Sequence, residues 1–107
     1  MMSVVGHRIG IDLEEAQIPS SAEVDQLVRE SVHDAGGAVH GYLWVPYQPQ
    51  GDTYIWAVSM SHIVIHTWPE KKVLTVDVFS CQSDGKDLMG RIVARVPHGR
   101  ARKCAYR

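Results

Sequence analysis

This chain has little cysteine and no long apolar run, and each absence excludes a class of protein. Two cysteines, Cys81 and Cys104, are too few for the disulfide framework of a small secreted domain. Residues 1–13 are too short and too polar for the core of a signal peptide. No apolar run reaches the ~20 residues that a membrane-spanning helix needs. We therefore expect a cytoplasmic chain with no membrane segment.

The net charge is also close to zero, because the eleven basic residues nearly balance the twelve acidic ones. Proteins that bind nucleic acid through its phosphates usually carry a basic excess, so we expect no nucleic-acid partner. The charges are nevertheless segregated. Residues 12–34 hold seven acidic residues and one basic residue, whereas residues 91–107 hold six basic residues and no acidic one. A basic end could bind RNA or a membrane surface, but without interleaved aromatics a solvated end near the acidic helix is favoured.

The length of 107 residues predicts a single domain covering residues 1–107. A hydrophobic content of 45% and a charged content of 21% are typical of a globular protein. A domain of this size buries well under three quarters of its unfolded surface. A partner subunit that covers one edge or face would therefore add stability.

Hydrophobic periodicity predicts an α+β fold. Apolar residues at helical spacing predict an amphipathic helix over residues 21–35, with Ser20 or Ser21 as its N-cap. A second helix is predicted over residues 84–95, before Pro97 and Gly99. Strands are predicted at residues 3–13, 38–46, 53–60, 61–68 and 73–80. Short connections between consecutive strands predict a two-layer α/β sandwich, with a largely antiparallel sheet and the helices on one face.

Residues 53–68 form sixteen extended residues without a turn signal. Strands are usually about five or six residues long. Either this strand is unusually long, or it is interrupted by something that composition does not reveal, such as a cut in the backbone.

Common catalytic patterns account poorly for the reactive residues near this run. A hydrolase serine usually lies on a sharp turn, as in G-x-S-x-G, whereas Ser61 lies in extended chain. A zinc site could use His62, His66 and Cys81, but no second cysteine or H-x-H pattern supports it. A nucleophilic pair of Cys81 with His66 is unspecific. Taken singly, each of these residues is more often a packing residue.

Three segments form a more informative set. They read YQPQGDT at residues 47–53, SHIVIHTWPE at residues 61–70 and DVFSC at residues 77–81. The segments resemble F-x-P-Q-G-x-S, S-H-x-x-I-H-T-W-P-E and D-V-F-T-C of the bacterial S-adenosylmethionine decarboxylases, at that family's spacing. The resemblance covers roughly residues 7–88.

The resemblance implies a self-processing, pyruvoyl-dependent carboxy-lyase. The family's serine, matched by Ser61, attacks the carbonyl of the preceding residue, here Met60, and the chain is cut between residues 60 and 61. The new N-terminus becomes a covalent pyruvoyl cofactor, which serves as an electron sink. The amine of S-adenosylmethionine forms a Schiff base on it, and the decarboxylated product supplies spermidine synthesis.

The resemblance also implies roles for five further residues. His66 matches the base of the elimination step, and Thr53 matches a serine that hydrogen-bonds the processing site. Cys81 matches the group that reprotonates the substrate carbon after decarboxylation. Tyr47 matches an aromatic that stacks on adenine, and Glu70 matches a carboxylate that holds the ribose hydroxyls. No metal is implied, and the expected assembly is a homodimer of cleaved protomers with its sites at the interface.

Two departures from the family pattern leave alternatives open. Met60 stands where the family usually has glutamate, and this removes a carboxylate worth about 1–3 kcal/mol to a cationic sulfonium. Ala16 stands where the family has cysteine. Pyruvoyl chemistry on arginine or ornithine is one alternative. An unprocessed, non-catalytic homologue that binds a partner is the other.

Overall fold

In the computed structural model, which describes residues 6–81 and 85–104, four consecutive strands lie between two helices, and one further strand lies at each end of the described chain. The helices are α1 (Ser21–Asp34) and α2 (Gly85–Ala94), and a short 3-10 turn covers Pro69–Lys71. The strands are β1 (His7–Glu14), β2 (Val39–Pro46), β3 (Asp52–Val58), β4 (Ser61–Trp68), β5 (Val73–Ser80) and β6 (Arg100–Cys104). The predicted elements are confirmed within a few residues. Residues 3–5 and 84, which belonged to predicted elements, lie outside the described ranges.

The strands form one sheet in the order β2-β3-β4-β5-β1-β6, and every neighbouring pair is antiparallel. Both helices pack on the same face of this sheet and share one hydrophobic core with it. The predicted α+β, two-layer fold is therefore confirmed. On the opposite face, which we call the open face, no helix of the described ranges covers the strands.

Helix α1 begins at a capping box. The Ser20 hydroxyl accepts a hydrogen bond from the Glu23 amide at 3.2 Å, and the Glu23 carboxylate accepts one from the Ser20 amide at 2.9 Å. These bonds identify Ser20, rather than Ser21, as the N-cap. The apolar face of the helix is buried through Val24, Leu27, Val28 and Val32.

The extended run at residues 53–68 is a β-hairpin. Val58 lies opposite Ser61 in the register between β3 and β4, so the turn consists of two residues, Ser59 and Met60. The interpretation of one unusually long strand is therefore wrong. The other interpretation, an interruption that composition does not reveal, is confirmed, and the interruption is a tight turn directly before Ser61.

The basic C-terminal part of the chain lies against acidic residues. Strand β6 was not predicted, and it pairs with β1, where Glu14 binds Arg100 at 2.5 Å and Arg102 at 3.8 Å. Arg95 at the end of α2 binds Asp34 of α1 at 2.6 Å. Arg95 therefore lies against the acidic helix as expected, whereas Arg100 and Arg102 bind Glu14 of β1 instead. Among the described helices, none is long and apolar enough to cross a membrane.

Candidate active site

The turn between β3 and β4 places one peptide bond, Met60–Ser61, at the end of the sheet. Ser59 has a φ of +53°, in the left-handed region, and the Met60 side chain is 76% exposed. Ser61 is the first residue of β4 and pairs with Val58, whose side chain is buried. The bond before Ser61 is therefore both accessible and closely constrained.

Cys81 contacts this peptide bond directly. Its thiol Sγ donates a hydrogen bond to the Met60 carbonyl oxygen at 2.9 Å. Cys81 follows β5, the strand next to β4, so the sheet brings two residues twenty-one positions apart into contact. A donor on a carbonyl oxygen withdraws electron density and stabilises negative charge that develops there during attack on the carbonyl carbon.

A cavity of about 410 Å³ opens beside the turn on the helix side of the sheet. Its walls come from the end of α1, the turn itself, the end of β5 and helix α2. Small residues make up much of the α1 wall. The lining residues are Val32, Ala35, Gly36, Gly37, Val58, Ser59, Met60, Ser61, Ser80, Cys81 and Leu88.

Thr53 and His66 form a second polar group, on the open face. They lie opposite each other in the register between β3 and β4, and Thr53 Oγ1 is 2.9 Å from His66 Nδ1. The ring of Trp68 lies against the His66 ring, with centroids 5.8 Å apart. The Thr53 hydroxyl therefore orients the imidazole, and either ring tautomer can share a proton with it.

The Ser61–Cys81 pair and the Thr53–His66 pair do not meet within one chain. Ser61 lines the cavity on the helix side, whereas His66 lies on the open face. The two residues are five positions apart on β4, a separation of roughly 17 Å at the rise of a strand. Within a single protomer, His66 therefore cannot reach the Cα of Ser61.

Tyr47 and Glu70 lie at the opposite end of the hairpin from Ser61. Tyr47 is 52% exposed and belongs to the loop between β2 and β3, where its amide donates to the Gly51 carbonyl at 2.9 Å. Glu70 lies in the 3-10 turn that follows β4. The sheet therefore brings Tyr47 and Glu70 to one end and Ser61 and Cys81 to the other.

Asp52, which sequence reasoning missed, links strands β2, β3 and β4 by hydrogen bonds at the end of the sheet where Tyr47 lies. Its carboxylate accepts a hydrogen bond from Trp44 Nε1 at 2.9 Å, and its amide donates to Thr67 Oγ1 at 3.0 Å. Burial, and then the Asp52 charge, raise the pKa of the buried Tyr54 phenol. A lone aspartate beside a glycine gave no sequence signal for these hydrogen bonds.

The zinc and cysteine–histidine alternatives find no support in this geometry. The His62 ring is stacked on Phe79, with centroids 5.4 Å apart, while Cys81 and His66 bind other groups. Across residues 6–81 and 85–104, no three histidine, cysteine or carboxylate side chains gather closely enough to hold a metal ion.

Comparison with known proteins places the chain in a family. The sequence profile of the S-adenosylmethionine decarboxylases matches residues 9–103, which is most of the chain. The chain belongs to the S-adenosylmethionine decarboxylase family. The resemblance inferred from the three segments is thereby confirmed.

Relatives and a solved structure agree with this assignment. An S-adenosylmethionine decarboxylase proenzyme of Acetivibrio thermocellus is 38% identical over 58 residues, which are 54% of this chain and 47% of the relative. One of Symbiobacterium thermophilum is 32% identical over 82 residues, which are 74% of this chain and 62% of the relative. The matches thus span about half to three fifths of these relatives' lengths. The crystal structure of an adenosylmethionine decarboxylase from Aquifex aeolicus superposes with a TM-score of 0.85, at 28% identity, over 96% of this chain and 89% of that one.

Of the two departures from the family pattern noted in the sequence, Met60 is the one that lies directly before Ser61. A methionine leaves the Met60 carbonyl and its contact with the Cys81 thiol in place, because both involve backbone atoms of residue 60.

Proposed function

We propose that this chain is an S-adenosylmethionine decarboxylase that cuts itself between Met60 and Ser61 and thereby makes its own pyruvoyl cofactor. The observation that carries the proposal is the hydrogen bond from the Cys81 thiol to the Met60 carbonyl, at a tight turn that ends at Ser61. Membership of the S-adenosylmethionine decarboxylase family supports the same chemistry.

Self-processing begins with an acyl shift. The Ser61 hydroxyl oxygen attacks the Met60 carbonyl carbon, the C–N bond breaks, and the hydroxyl proton passes to the freed amine. The Cys81 thiol stabilises the negative charge that forms on the Met60 oxygen. A base then removes the proton from Ser61 Cα, so that the Met60 carboxylate leaves and the chain is cut. Loss of ammonia, with water as co-reactant, converts the former serine into the pyruvoyl group.

The residues around Ser61 fit such a group. Small side chains at Ala35, Gly36 and Gly37 leave the 410 Å³ cavity open beside it. Such a group, once formed there, would supply an electrophilic carbonyl to take up the electrons left when the substrate loses carbon dioxide. The Cys81 thiol, already beside residue 60, then delivers a proton to the substrate carbon.

We propose that the working form is a homodimer joined through the open faces. No described helix covers this face, and it exposes apolar side chains such as Leu43, at 54%, and Ile55, at 37%. Packing two such faces together would remove this surface from water, at about 25 cal/mol per Å² of apolar area. The small size of the protomer makes the added burial valuable.

A dimer of this kind would also bring the Ser61–Cys81 pair of one protomer close to the Thr53–His66 pair of the other. We place the two-fold axis between the two open faces, parallel to the sheets and perpendicular to the strands. The partner's β4 then points in the opposite direction. The Ser61 end of one protomer then lies over the Trp68 end of its partner. The site would combine Ser61 and Cys81 of one protomer with Thr53 and His66 of the partner subunit.

In this arrangement each matched residue has a task. His66 of the partner subunit takes the Ser61 Cα proton, and Thr53 of the partner subunit orients its ring, as the 2.9 Å contact supports. Tyr47 and Glu70 of the partner subunit lie at the same end of its sheet, where they would hold the adenine and the ribose. The product would feed spermidine synthesis.

The substrate assignment is tested by carbon dioxide release from S-adenosylmethionine, arginine and ornithine, each supplied with the purified enzyme. We expect release from S-adenosylmethionine. Release from arginine or ornithine alone would contradict the substrate assignment while keeping the pyruvoyl chemistry. An uncut chain that releases none from any of them would indicate a non-catalytic homologue.

Replacing Tyr47 by alanine should weaken S-adenosylmethionine binding by about 1–3 kcal/mol, the usual contribution of a base stacked on an aromatic ring. Calorimetric titration of a non-reactive analogue that contains adenine measures this loss. Tyr47→Phe, which keeps the stacking ring, is the matched control. Equal affinities for the wild type and the Tyr47→Ala variant would show that Tyr47 does not contact the base.

Replacing Cys81 by alanine should slow self-cleavage and lower turnover per cut molecule by about 10²–10⁴-fold, the range for general acid catalysis. The thiol contacts the Met60 carbonyl, so both steps lose a donor. Intact mass follows the cleavage, and carbon dioxide release follows the turnover. Cys104→Ala removes the other free thiol and should change neither rate. If Cys81→Ala matches the wild type in both assays, Cys81 is a packing residue only.

A further inference from the structure

In the turn before Ser61, Ser59 has a backbone conformation that is usually adopted by glycine. Ser59 has a φ of +53°, where the β-carbon of an L-residue crowds the following carbonyl oxygen. Two-residue hairpin turns usually place Asn, Asp or Gly at such positions, and this turn reads Ser-Met. The other described positions with positive φ hold glycine at Gly36 and Gly51, with φ of +85° and +99°, and residues with a side chain at Glu15 and Lys72.

The surroundings prevent the turn from relaxing. On one side, Val58 is only 6% exposed and anchors β3 in the core. On the other side, Ser61 is paired with Val58 at the start of β4. Between them, the Met60 carbonyl is held by the Cys81 thiol at 2.9 Å. A strained residue persists where its neighbours determine its conformation in this way.

We propose that Ser59 is a positioning residue for self-processing, and that its strain is released as the Met60–Ser61 peptide bond breaks. The inference rests on the proposed self-cleavage. In the acyl shift, Ser61 Oγ bonds to the Met60 carbonyl carbon, the C–N bond breaks and the hydroxyl proton moves to the amine, so no atom is gained or lost. The link from that carbon to Ser61 Cα then runs through two atoms, Oγ and Cβ, instead of one nitrogen.

A longer link loosens the turn. The uncut chain carries the full strain of Ser59, whereas the ester and the transition state that leads to it carry less. Strain present only in the starting state lowers the barrier to the step that relieves it. Removing the strain beforehand, with a glycine at position 59, should stabilise the uncut chain and slow its cleavage.

The chain offers a close control for this effect. Glu15 has a nearly equal φ of +52°, and it follows β1, which β5 separates from β4 in the sheet. Glu15→Gly relieves comparable strain at a distance from the Met60–Ser61 bond. Ser59→Ala is a second control, because it keeps the β-carbon and hence the strain but lacks the hydroxyl.

The experiment follows cleavage by intact mass after cell-free synthesis of the full chain. Ser59→Gly should cut about fivefold more slowly than the wild type, while Ser59→Ala and Glu15→Gly cut at the wild-type rate. In chains that also carry Ser61→Ala, both glycine variants should unfold at a higher temperature, which shows that the strain exists. An unchanged rate for Ser59→Gly, an equal loss in Ser59→Ala, or no gain in unfolding temperature would overturn the inference and leave self-cleavage standing. A wild-type chain that is never cut would overturn both.

Discussion

Ser61→Ala is expected to remain a single uncut chain of 107 residues with no decarboxylase activity. Without the Ser61 hydroxyl the acyl shift cannot begin, and without the cut no pyruvoyl group forms. The loss should be complete rather than partial, because cleavage and cofactor formation both depend on this one oxygen. Intact mass under denaturing conditions, together with carbon dioxide release, measures both consequences.

Two controls separate this result from misfolding. Ser61 is only partly buried at the start of β4, so the alanine variant should keep the fold and a cooperative thermal unfolding transition. Ser61→Cys retains a nucleophile at the same position and should still be cut. If Ser61→Ala yields the same two fragments as the wild type, an outside protease makes the cut and the pyruvoyl assignment is lost.

A mixture of two defective chains should recover self-cleavage. One chain carries Ser61→Ala and the other carries His66→Ala, and each is expected to be defective in its own homodimer. In a mixed dimer of the proposed arrangement, Ser61 of the second chain would meet His66 of the first, and this site would contain both groups. The reason is the strand geometry, since the two residues are roughly 17 Å apart within one protomer.

The readout is the cleavage of the His66→Ala chain, marked by a mass tag, when the two chains are co-expressed. Up to about half of these chains should be cut at the wild-type rate, because random pairing puts about half of them in mixed dimers. The same chain expressed alone is the matched control and should be cut slowly. If co-expression leaves its cleavage unchanged, His66 does not act across the dimer.

Much of the fold was predictable because local patterns and tertiary packing agree. Strand β5 alternates apolar and polar residues and was predicted with its observed bounds, Val73–Ser80. Helix α1 carries its own start signal in Ser20 and Glu23. In both elements, one face is buried by the same residues that supply the periodic signal.

Two elements escaped prediction for identifiable reasons. The turn at Ser59 and Met60 contains none of the residues that usually mark a two-residue hairpin, because a strained conformation replaces a favourable one there. Strand β6 reads RARKC and resembles a solvated tail. Its arginines are accommodated by Glu14 on the neighbouring strand, and this is a tertiary pairing that composition cannot reveal.

The sequence names candidate site residues, but it does not give their arrangement. Ser61 and His66 belong to one motif, yet an odd spacing on a strand puts them on opposite faces. A linear motif does not show that its two residues are separated in this way within one protomer. The contact between Cys81 and the Met60 carbonyl depends on the pairing of β4 with β5, which no single segment encodes.

The central claim, self-cleavage that creates a pyruvoyl group, is tested most directly by the intact mass of the wild-type chain under denaturing conditions. We expect two fragments, residues 1–60 with a free Met60 carboxylate and residues 61–107. The second fragment should be lighter, by one molecule of ammonia, than a fragment that begins with serine. A single uncut chain, or a second fragment that still begins with serine, would contradict the account.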